Sequence, residues 1–328
     1  MRTVERCPLC GTDVRRSAER LFVSSDYISG DTFNVMKCRE CGMAYTDPCP
    51  DQENEFARYY PREEYYGSDE GARFNSPMER MITTFRRQRA ERILRSKTAG
   101  RVLDIGCGRG LFLRRLKSDG WECHGTELSA DLASYLQNQY GLDVRVGSVQ
   151  SCGFEDRSLD VVTIYHVLEH ISDPMSTLRE VRRIIRDDGL LVIGVPNFAG
   201  MQSVLSGPGW FHLDVPRHVV HFTPATLRRA VEDAGFEIVS RRNFSAEYDP
   251  YGLIQSLLNR LGCRRNFLYE VLRTKGIGRS GAKTWLYDVP LSLVLPPFAF
   301  APAFAVELVL SAVGRNGTME IVCRPLVA

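Results

Sequence analysis

The sequence has almost no net charge: 42 Lys and Arg stand against 40 Asp and Glu in 328 residues, leaving +2. That balance excludes a general electrostatic pull toward nucleic acid or acidic lipid, and either partner would need a local patch. Internal repeats and low-complexity tracts are absent, which sets aside solenoids and disordered arrays. The first eleven residues carry charges and two cysteines but no apolar stretch, so a secretory leader is not expected and the cytosol is the expected location. In that reducing compartment ten cysteines are not read as five disulfides, and Cys-x-x-Cys pairs become candidate metal ligands. Histidine is scarce, and five of the six fall in two short segments. What remains is an ordinary globular composition, 44% hydrophobic and 25% charged, long enough for one large domain with attachments.

Residues 1–50 are rich in Cys, Gly, Pro and Asp, with short alternating runs such as 32–36, and predict a small β module. Residues 51–98 read as a helical linker. It is acidic and tyrosine-rich to about 71, then helical from Ser76 and Pro77, with Met78, Met81, Ile82, Phe85, Ile93 and Leu94 near helical spacing. Arg80, Arg86, Arg87, Arg89, Arg92 and Arg95 make this helix basic, a pattern that usually marks a solvated face.

From 101 the pattern alternates strand and helix, which implies a parallel sheet of βαβ units. Strands are expected at 101–105, 122–126, 142–146, 159–165, 190–195, 236–240 and 319–324. Helix limits are written in the caps: Ser129 to Gly141, Asp173 and Pro174 to Gly189, Thr223 and Pro224 to Gly235. The catalytic core is therefore expected over 99–243, with 319–328 supplying its final strand. Between them lies an insertion, 244–318, containing an apolar run at 289–314 whose one charge is Glu307. Pro290, Pro296, Pro297 and Pro302 predict that this run breaks into pieces too short to cross a bilayer of ~30 Å as one helix. A lid, a core helix or an interfacial segment is expected, the last giving peripheral contact with the inner face of the membrane.

The strongest chemistry lies in Asp104-Ile105-Gly106-Cys107-Gly108-Arg109-Gly110, directly after a buried strand. Glycines at alternate positions let the backbone turn tightly and approach a ligand that a Cβ would exclude. Glu127, at the end of the next strand, can accept hydrogen bonds from both hydroxyls of a ribose. A dinucleotide fingerprint is G-x-G-x-x-G, whereas the third glycine here is Gly110 and Leu111 occupies the dinucleotide position. Pyrophosphate is thereby disfavoured, and Asp104 suits a cationic ligand such as the amino and sulfonium groups of S-adenosylmethionine.

These residues resemble the first motif and the ribose-binding acid of class I methyltransferases. The resemblance continues through Ser158-Leu159-Asp160-Val161-Val162, through His166-Val167-Leu168-Glu169-His170 and to Pro196, covering about 101–242. Within that superfamily the chain is most similar to the ubiquinone O-methyltransferase-like branch and to methyltransferases of bacterial polysaccharide and sugar pathways. The resemblance implies an α/β fold with a Rossmann-like seven-stranded sheet, its last strand antiparallel and helices on both faces. It further implies a cofactor held by Asp104, Gly106, Cys107, Gly108, Gly110, Glu127, Leu128, Ser148, Val149, Tyr165 and His166. Ser148 and Val149 stand where many relatives carry an acid near the adenine.

His166, Glu169 and His170 follow the fourth strand at spacings that place them on one side of a helical turn. A second group, Trp210, His212, Asp214, Arg217, His218 and His221, lies in the loop after the fifth strand. His166, His170 and His218 are the candidate bases, since methyl transfer needs alignment and an unprotonated nucleophile. The resemblance adds that ubiquinone-type relatives hold a carboxylate-rich metal site at similar positions, with His166 replacing one acid.

Cys7-Pro8-Leu9-Cys10 and Cys38-Arg39-Glu40-Cys41 form two knuckles whose four thiolates can hold a structural, tetrahedral Zn²⁺. Similar zinc-ribbon-like modules precede the catalytic domain in sugar methyltransferases. Cys49, Cys107, Cys123, Cys152, Cys263 and Cys323 read as isolated thiols. The expected function is S-adenosylmethionine-dependent methylation of a small or carrier-linked acceptor, such as a sugar or a glycan- or lipid-linked intermediate. A quinone-like or other lipid acceptor and a non-catalytic S-adenosylmethionine-binding scaffold are the alternatives, and nucleic acid is not an expected partner.

Overall fold

The computed structural model describes residues 1–50, 56–59, 76–96, 99–275 and 283–327. Apart from 56–59, the acidic tyrosine-rich stretch lies outside the described residues. So do the expected end of the linker helix at 97–98 and the side chains of Met78, Ile93 and Leu94.

The N-terminal block is an antiparallel meander of β1 (Ala18–Ser25), β2 (Thr32–Cys38) and β3 (Ala44–Asp47). The helix Ser76–Ser96 then leads into the main domain. There β4 (Arg101–Ile105), β5 (Glu122–Glu127), β6 (Asp143–Val146), β7 (Leu159–Tyr165) and β8 (Ile185–Pro196) are parallel. A two-residue strand, β9 (Val220–His221), leaves the main domain and pairs with β3, so the small sheet has four strands in the order β1-β2-β3-β9. Last come β10 (Phe236–Arg242) and β11 (Thr318–Pro325), which closes the main sheet as β10-β11-β8-β7-β4-β5-β6. The strand β11 runs antiparallel to both neighbours, as the resemblance implied.

Chemistry explains why this sheet is central. Val102, Leu103, Val161, Val162, Ile164, Leu191 and Ile193 are at most 4% exposed, the near-continuous apolar strands that a parallel sheet covered on both faces requires. Successive strands lie on opposite sides of β4, with β5 to one side and β7 to the other, so the crevice that opens beyond its carboxyl end is the switch point where α/β sheets bind ligands.

Several helix limits stand where the caps put them. Ser129 Oγ accepts the Leu132 N–H and Gly141 ends that helix with φ +58°. Asp173 caps the helix Pro174–Ile184, and Thr223 and Thr226 form a reciprocal capping box. Gly189 does not follow a helix end: the helix stops at Ile184 and Gly189 lies inside β8. Buried Ile184 and Ile185 turn the chain straight into the sheet.

Two expectations are corrected. The arginine-rich helix is not a wholly solvated face, because Arg86, Arg89 and Arg92, three residues apart, turn toward the main domain while Arg80, Arg87 and Arg95 stay exposed. The apolar run is not broken: Val289–Ala312 is one helix with Pro296, Pro297 and Pro302 inside it. Proline's fixed φ is itself helical, so each costs a hydrogen bond and a steric clash rather than the helix direction. Packing on the helix Asp249–Arg260, through Leu253, Ile254, Leu258 and Ala303, offsets that cost.

Candidate functional site

The three loop glycines share positive φ (+66°, +51° and +64° at Gly106, Gly108 and Gly110) but do different things. A Cβ on Gly106 would meet Val167 Cγ2 at 2.6 Å, and one on Gly110 would meet Leu136 Cδ2 at 3.0 Å, so both are packing glycines. A Cβ on Gly108 would meet nothing within 4 Å. Its N–H donates to Glu127 Oε2 at 3.1 Å, while Glu127 Oε1 accepts from the Leu128 and Ser129 N–H groups at 2.8 and 3.1 Å. Three backbone donors therefore fix the carboxylate beside open space. Burial raises its pKa, and those hydrogen bonds oppose the rise.

Asp104 ends up next to this group, one strand away. Its Oδ1 accepts the Thr163 hydroxyl at 2.6 Å, and burial lifts its pKa to about 6 against the opposing pull of that bond, Arg86 and Arg89. Cys107 tucks beneath the loop, its N–H bonded to the Thr126 carbonyl at 3.0 Å and its thiol pushed up by burial. Leu128 is 59% exposed at the same edge, and Ser148 is exposed too. Val149 instead faces the main core, 1% exposed. Tyr165 stands at the end of β7 with its hydroxyl donating to Glu320 Oε2 at 3.1 Å and the Arg89 guanidinium 3.8 Å above its ring.

His166 follows at φ +53°, its Nδ1 3.3 Å from Glu169 Oε1 and its ring 4.3 Å from that of Tyr248. Burial first and Arg89 second push it down to about 3. His170 and His218 sit behind it with rings 4.6 Å apart. His170 Nδ1 donates to the Arg217 carbonyl at 2.9 Å and His218 Nδ1 to the His212 carbonyl at 2.8 Å. Because carbonyls only accept, both protons are on Nδ1 and Nε2 bears the lone pair in each ring. Burial lowers both, His170 to about 4. Buried Glu169 has one oxygen, Oε2, without a protein partner. Ligand atoms of Glu169, His170 and His218 lie within 4.8 Å of one another, so the trio can hold a divalent cation, with backbone carbonyls orienting both imidazoles. His221 Nε2 meets the Thr46 hydroxyl at 3.0 Å, while His212 packs against Phe211 and Trp210 with its buried Nε2 lacking a protein partner.

Beside Tyr165 and His166 opens a cavity of ≈ 150 Å³. Much of its lining comes from residues that sequence reasoning missed. Arg89 and Arg92 enter from the linker helix, Glu247 and Tyr248 from the insertion, and Glu320 from the last strand. Arg86 and Arg89 pair with Glu247 at 3.5 and 3.2 Å, and Arg92 with Glu320 at 2.9 Å. Burial opposes ionisation of Glu247, but Arg86 and Arg89 outweigh it and hold its pKa below the ordinary value. Arg89 Nε, buried, has no protein partner. Only the three-residue spacing of the arginines could have signalled this face.

A methyltransferase-domain family matches residues 78–241, half of the chain. The chain belongs to that family. A probable S-adenosylmethionine-dependent methyltransferase of Mycolicibacterium smegmatis is 28% identical over 147 residues, 44% of this chain and 55% of the relative. A ubiquinone biosynthesis O-methyltransferase of Xanthomonas oryzae is 28% identical over 150 residues, 42% of this chain and 63% of the relative. The chain thus spans between about half and two thirds of the length of these curated relatives. Among solved structures, a SAM-dependent methyltransferase from Archaeoglobus fulgidus shares 21% identity at a TM-score of 0.47, covering 81% of this chain and 99% of that one.

Outside the methyltransferase domain, the four cysteines converge. Cys7 Sγ lies 3.4 Å from Cys41 Sγ and Cys10 Sγ 3.8 Å from Cys38 Sγ, and all four fall within 4.8 Å of one another. A disulfide needs ~2.05 Å. Tetrahedral Zn²⁺ with bonds of about 2.3 Å sets sulfurs ~3.8 Å apart, close to what is seen. Each knuckle closes on a left-handed glycine, Gly11 at φ +72° and Gly42 at +77°, whose N–H donates to the first cysteine's carbonyl. The module is not a separate bead. Thr46 donates to the His218 carbonyl at 2.7 Å, and Cys7, Cys38, Met43 and Tyr45 share one apolar cluster with Val219, Val220 and Phe222 of the methyltransferase domain.

Proposed function

We propose that this protein transfers a methyl group from S-adenosylmethionine to a hydroxyl of a small or carrier-linked acceptor, a sugar or a glycan- or lipid-linked intermediate. The observation that carries the cofactor half is the Glu127 carboxylate, fixed by three backbone N–H groups next to the open face of Gly108. Glu127 would take the ribose hydroxyls, Asp104 the cationic amino end, and Arg89 Nε the carboxylate of the same tail. The cofactor supplies an electrophilic methyl group on positive sulfur. Asp104 is needed as an anion for that role, and the nearby arginines keep it ionised at neutral pH despite burial.

The acceptor would enter the cavity beside Tyr165 and His166, which Arg92, Glu247 and Glu320 line together with Phe85, Phe244 and Met319 and whose volume suits one sugar-sized head. His166 is neutral there, with Glu169 placed to stabilise a proton it takes. Glu169, His170 and His218 would hold a divalent cation behind it. Structural zinc in the cysteine module completes the assembly. A quinone-like acceptor is the second reading, favoured by the ubiquinone O-methyltransferase among the relatives.

Calorimetry with S-adenosylmethionine tests the cofactor, with micromolar affinity expected, lost in Glu127→Ala. Incubation with nucleotide sugars, polyprenyl-linked sugars and polyhydroxylated quinones, read as S-adenosylhomocysteine release, then separates the acceptors. No binding at millimolar cofactor would end the proposal, and binding without turnover on any acceptor would leave a scaffold.

A further inference from the structure

The Val289–Ala312 helix faces two ways. Toward the protein it presents Ser292, Ala303 and Glu307, all buried, with Leu295 and Ala299 half-buried along the same stripe. Glu307, the one charge of the run, is fixed by Gln202 Nε2 at 2.8 Å and Asn316 Nδ2 at 2.7 Å. Toward solvent the helix shows only apolar side chains, among them Phe298, 77% exposed, and Val309, 72% exposed. An uncharged outward face about 36 Å long is far larger than solitary surface apolar residues explain.

We propose that this helix docks the protein in the plane of an anionic lipid bilayer, bringing the mouth of the cavity beside Tyr165 and His166 to the lipid surface.

Length and composition would let the helix cross a membrane, but its attachments do not. At its start Asp288 accepts the Arg264 N–H at 3.0 Å and Tyr287 donates to the Leu261 carbonyl at 2.7 Å. At its end Asn197 Nδ2 donates to the Gly314 carbonyl at 3.3 Å and the chain enters β11. The start is thus tied to the segment after Asp249–Arg260, the middle packs on that helix and bonds Gln202 through Glu307, and the end is tied to Asn197. The helix therefore lies along the protein and can enter lipid only sideways, with the protein standing where an interfacial helix carries its polar face. The ends suit that placement. Exposed Trp285, Tyr287 and Lys283 lie at the start, with exposed Arg260 beside Leu261, and exposed Arg315 follows the end. Aromatic rings and cations flanking an uncharged middle match the headgroup layer of an acidic membrane. A partner helix would instead call for discrete anchors at helical spacing within a polar rim.

The face is also continuous with the site. Phe304 meets Phe244 at 5.2 Å between ring centroids, and Phe244 lines the cavity. A lipid-borne head entering from the bilayer would pass that pair. The docking itself does not depend on the reaction.

Sedimentation with vesicles tests it on the full chain. We expect binding to phosphatidylglycerol-containing vesicles, weaker binding to pure phosphatidylcholine, and a loss of about tenfold or more in Leu293→Glu/Phe298→Glu/Val309→Glu, whose changes touch only exposed positions. Unchanged circular dichroism and calorimetric S-adenosylmethionine binding by the variant show that folding and the cofactor site are intact, so a failure here is distinct from a failure of the function above. Equal sedimentation of wild type and variant would overturn the proposal. So would a wild type that ignores both vesicles, or a stable dimer in light scattering that the triple variant dissolves and vesicles do not compete with.

Discussion

The Arg217 guanidinium and the Asp26 carboxylate meet at 2.6 Å with neither side chain exposed to solvent. Asp26 follows β1 of the cysteine module, while Arg217 precedes His218, so this pair joins the module to the loop that carries a candidate site residue. Arg217 also donates to Asp214 and to the Tyr59 carbonyl. A charge so enclosed cannot be left alone without cost. Because Arg217 keeps Asp214 as a second carboxylate partner, Asp26→Ala is expected to lower the unfolding free energy by about 2–3 kcal/mol in urea titrations, less than an unpaired buried charge would cost. A loss under about 1 kcal/mol for this variant would show that water reaches Arg217.

The cysteine distances predict one zinc per chain by atomic emission, lost in Cys38→Ser with a fall in Tm. Because Thr46 bonds both the His218 carbonyl and the His221 ring, metal loss should also speed amide exchange across residues 212–222. Exchange that speeds only within 1–50 would show that the two parts are not coupled.

Burial makes the Asp104 carboxylate oppose folding at neutral pH. Its pKa is higher folded, about 6, than the ordinary 3.8, so the folded state holds the proton more tightly and stability falls as pH rises between those values. Above pH 6 the cost is fully present, on the order of 2–3 kcal/mol. Asp104→Asn keeps an acceptor for Thr163 and is expected to raise Tm at pH 7.5, with the gain shrinking toward pH 4. The same variant should bind S-adenosylmethionine at least about tenfold more weakly. A lower Tm at pH 7.5 would refute the burial argument.

Gly106 and Gly108 separate packing from binding. Alanine at 106 collides with Val167, so Gly106→Ala should lose well over 1 kcal/mol and bind poorly through misfolding. Alanine at 108 meets only open space, so Gly108→Ala should lose about 1 kcal/mol from its positive φ yet abolish cofactor binding. Thermal melts beside calorimetry decide. Normal affinity in Gly108→Ala would place the cofactor elsewhere.

If Glu169, His170 and His218 hold a cation, Mg²⁺ or Mn²⁺ added to the protein with its cysteine module already loaded with zinc should raise Tm in wild type and not in Glu169→Gln. S-adenosylmethionine affinity should be the same in both. Equal metal shifts in the two proteins would remove the site.

Much of the methyltransferase domain was written locally. The caps at Ser129, Asp173 and Thr223, the glycine run at 106–110 and the acid at the end of β5 are short-range signals, and each stands where its chemistry puts it. The continuity of the proline-containing helix is not legible locally, because the packing on Asp249–Arg260 that offsets the prolines' cost joins distant residues. The inward turn of Arg86, Arg89 and Arg92 is not legible either, because a charged stripe has the same sequence whether it meets water or Glu247 and Glu320.

By itself the sequence determined the strand–helix alternation, the glycine bend with Asp104 and Glu127, and the two cysteine knuckles, because hydrophobic period, backbone freedom and ligand spacing act within a few residues. Only the tertiary structure decided that Glu169, His170 and His218 face one another, that the insertion and last strand build the cavity wall, and that β9 ties the cysteine module to the histidine loop. Those pairings join residues tens to hundreds of positions apart, and packing and desolvation, which set them, are properties of the whole fold.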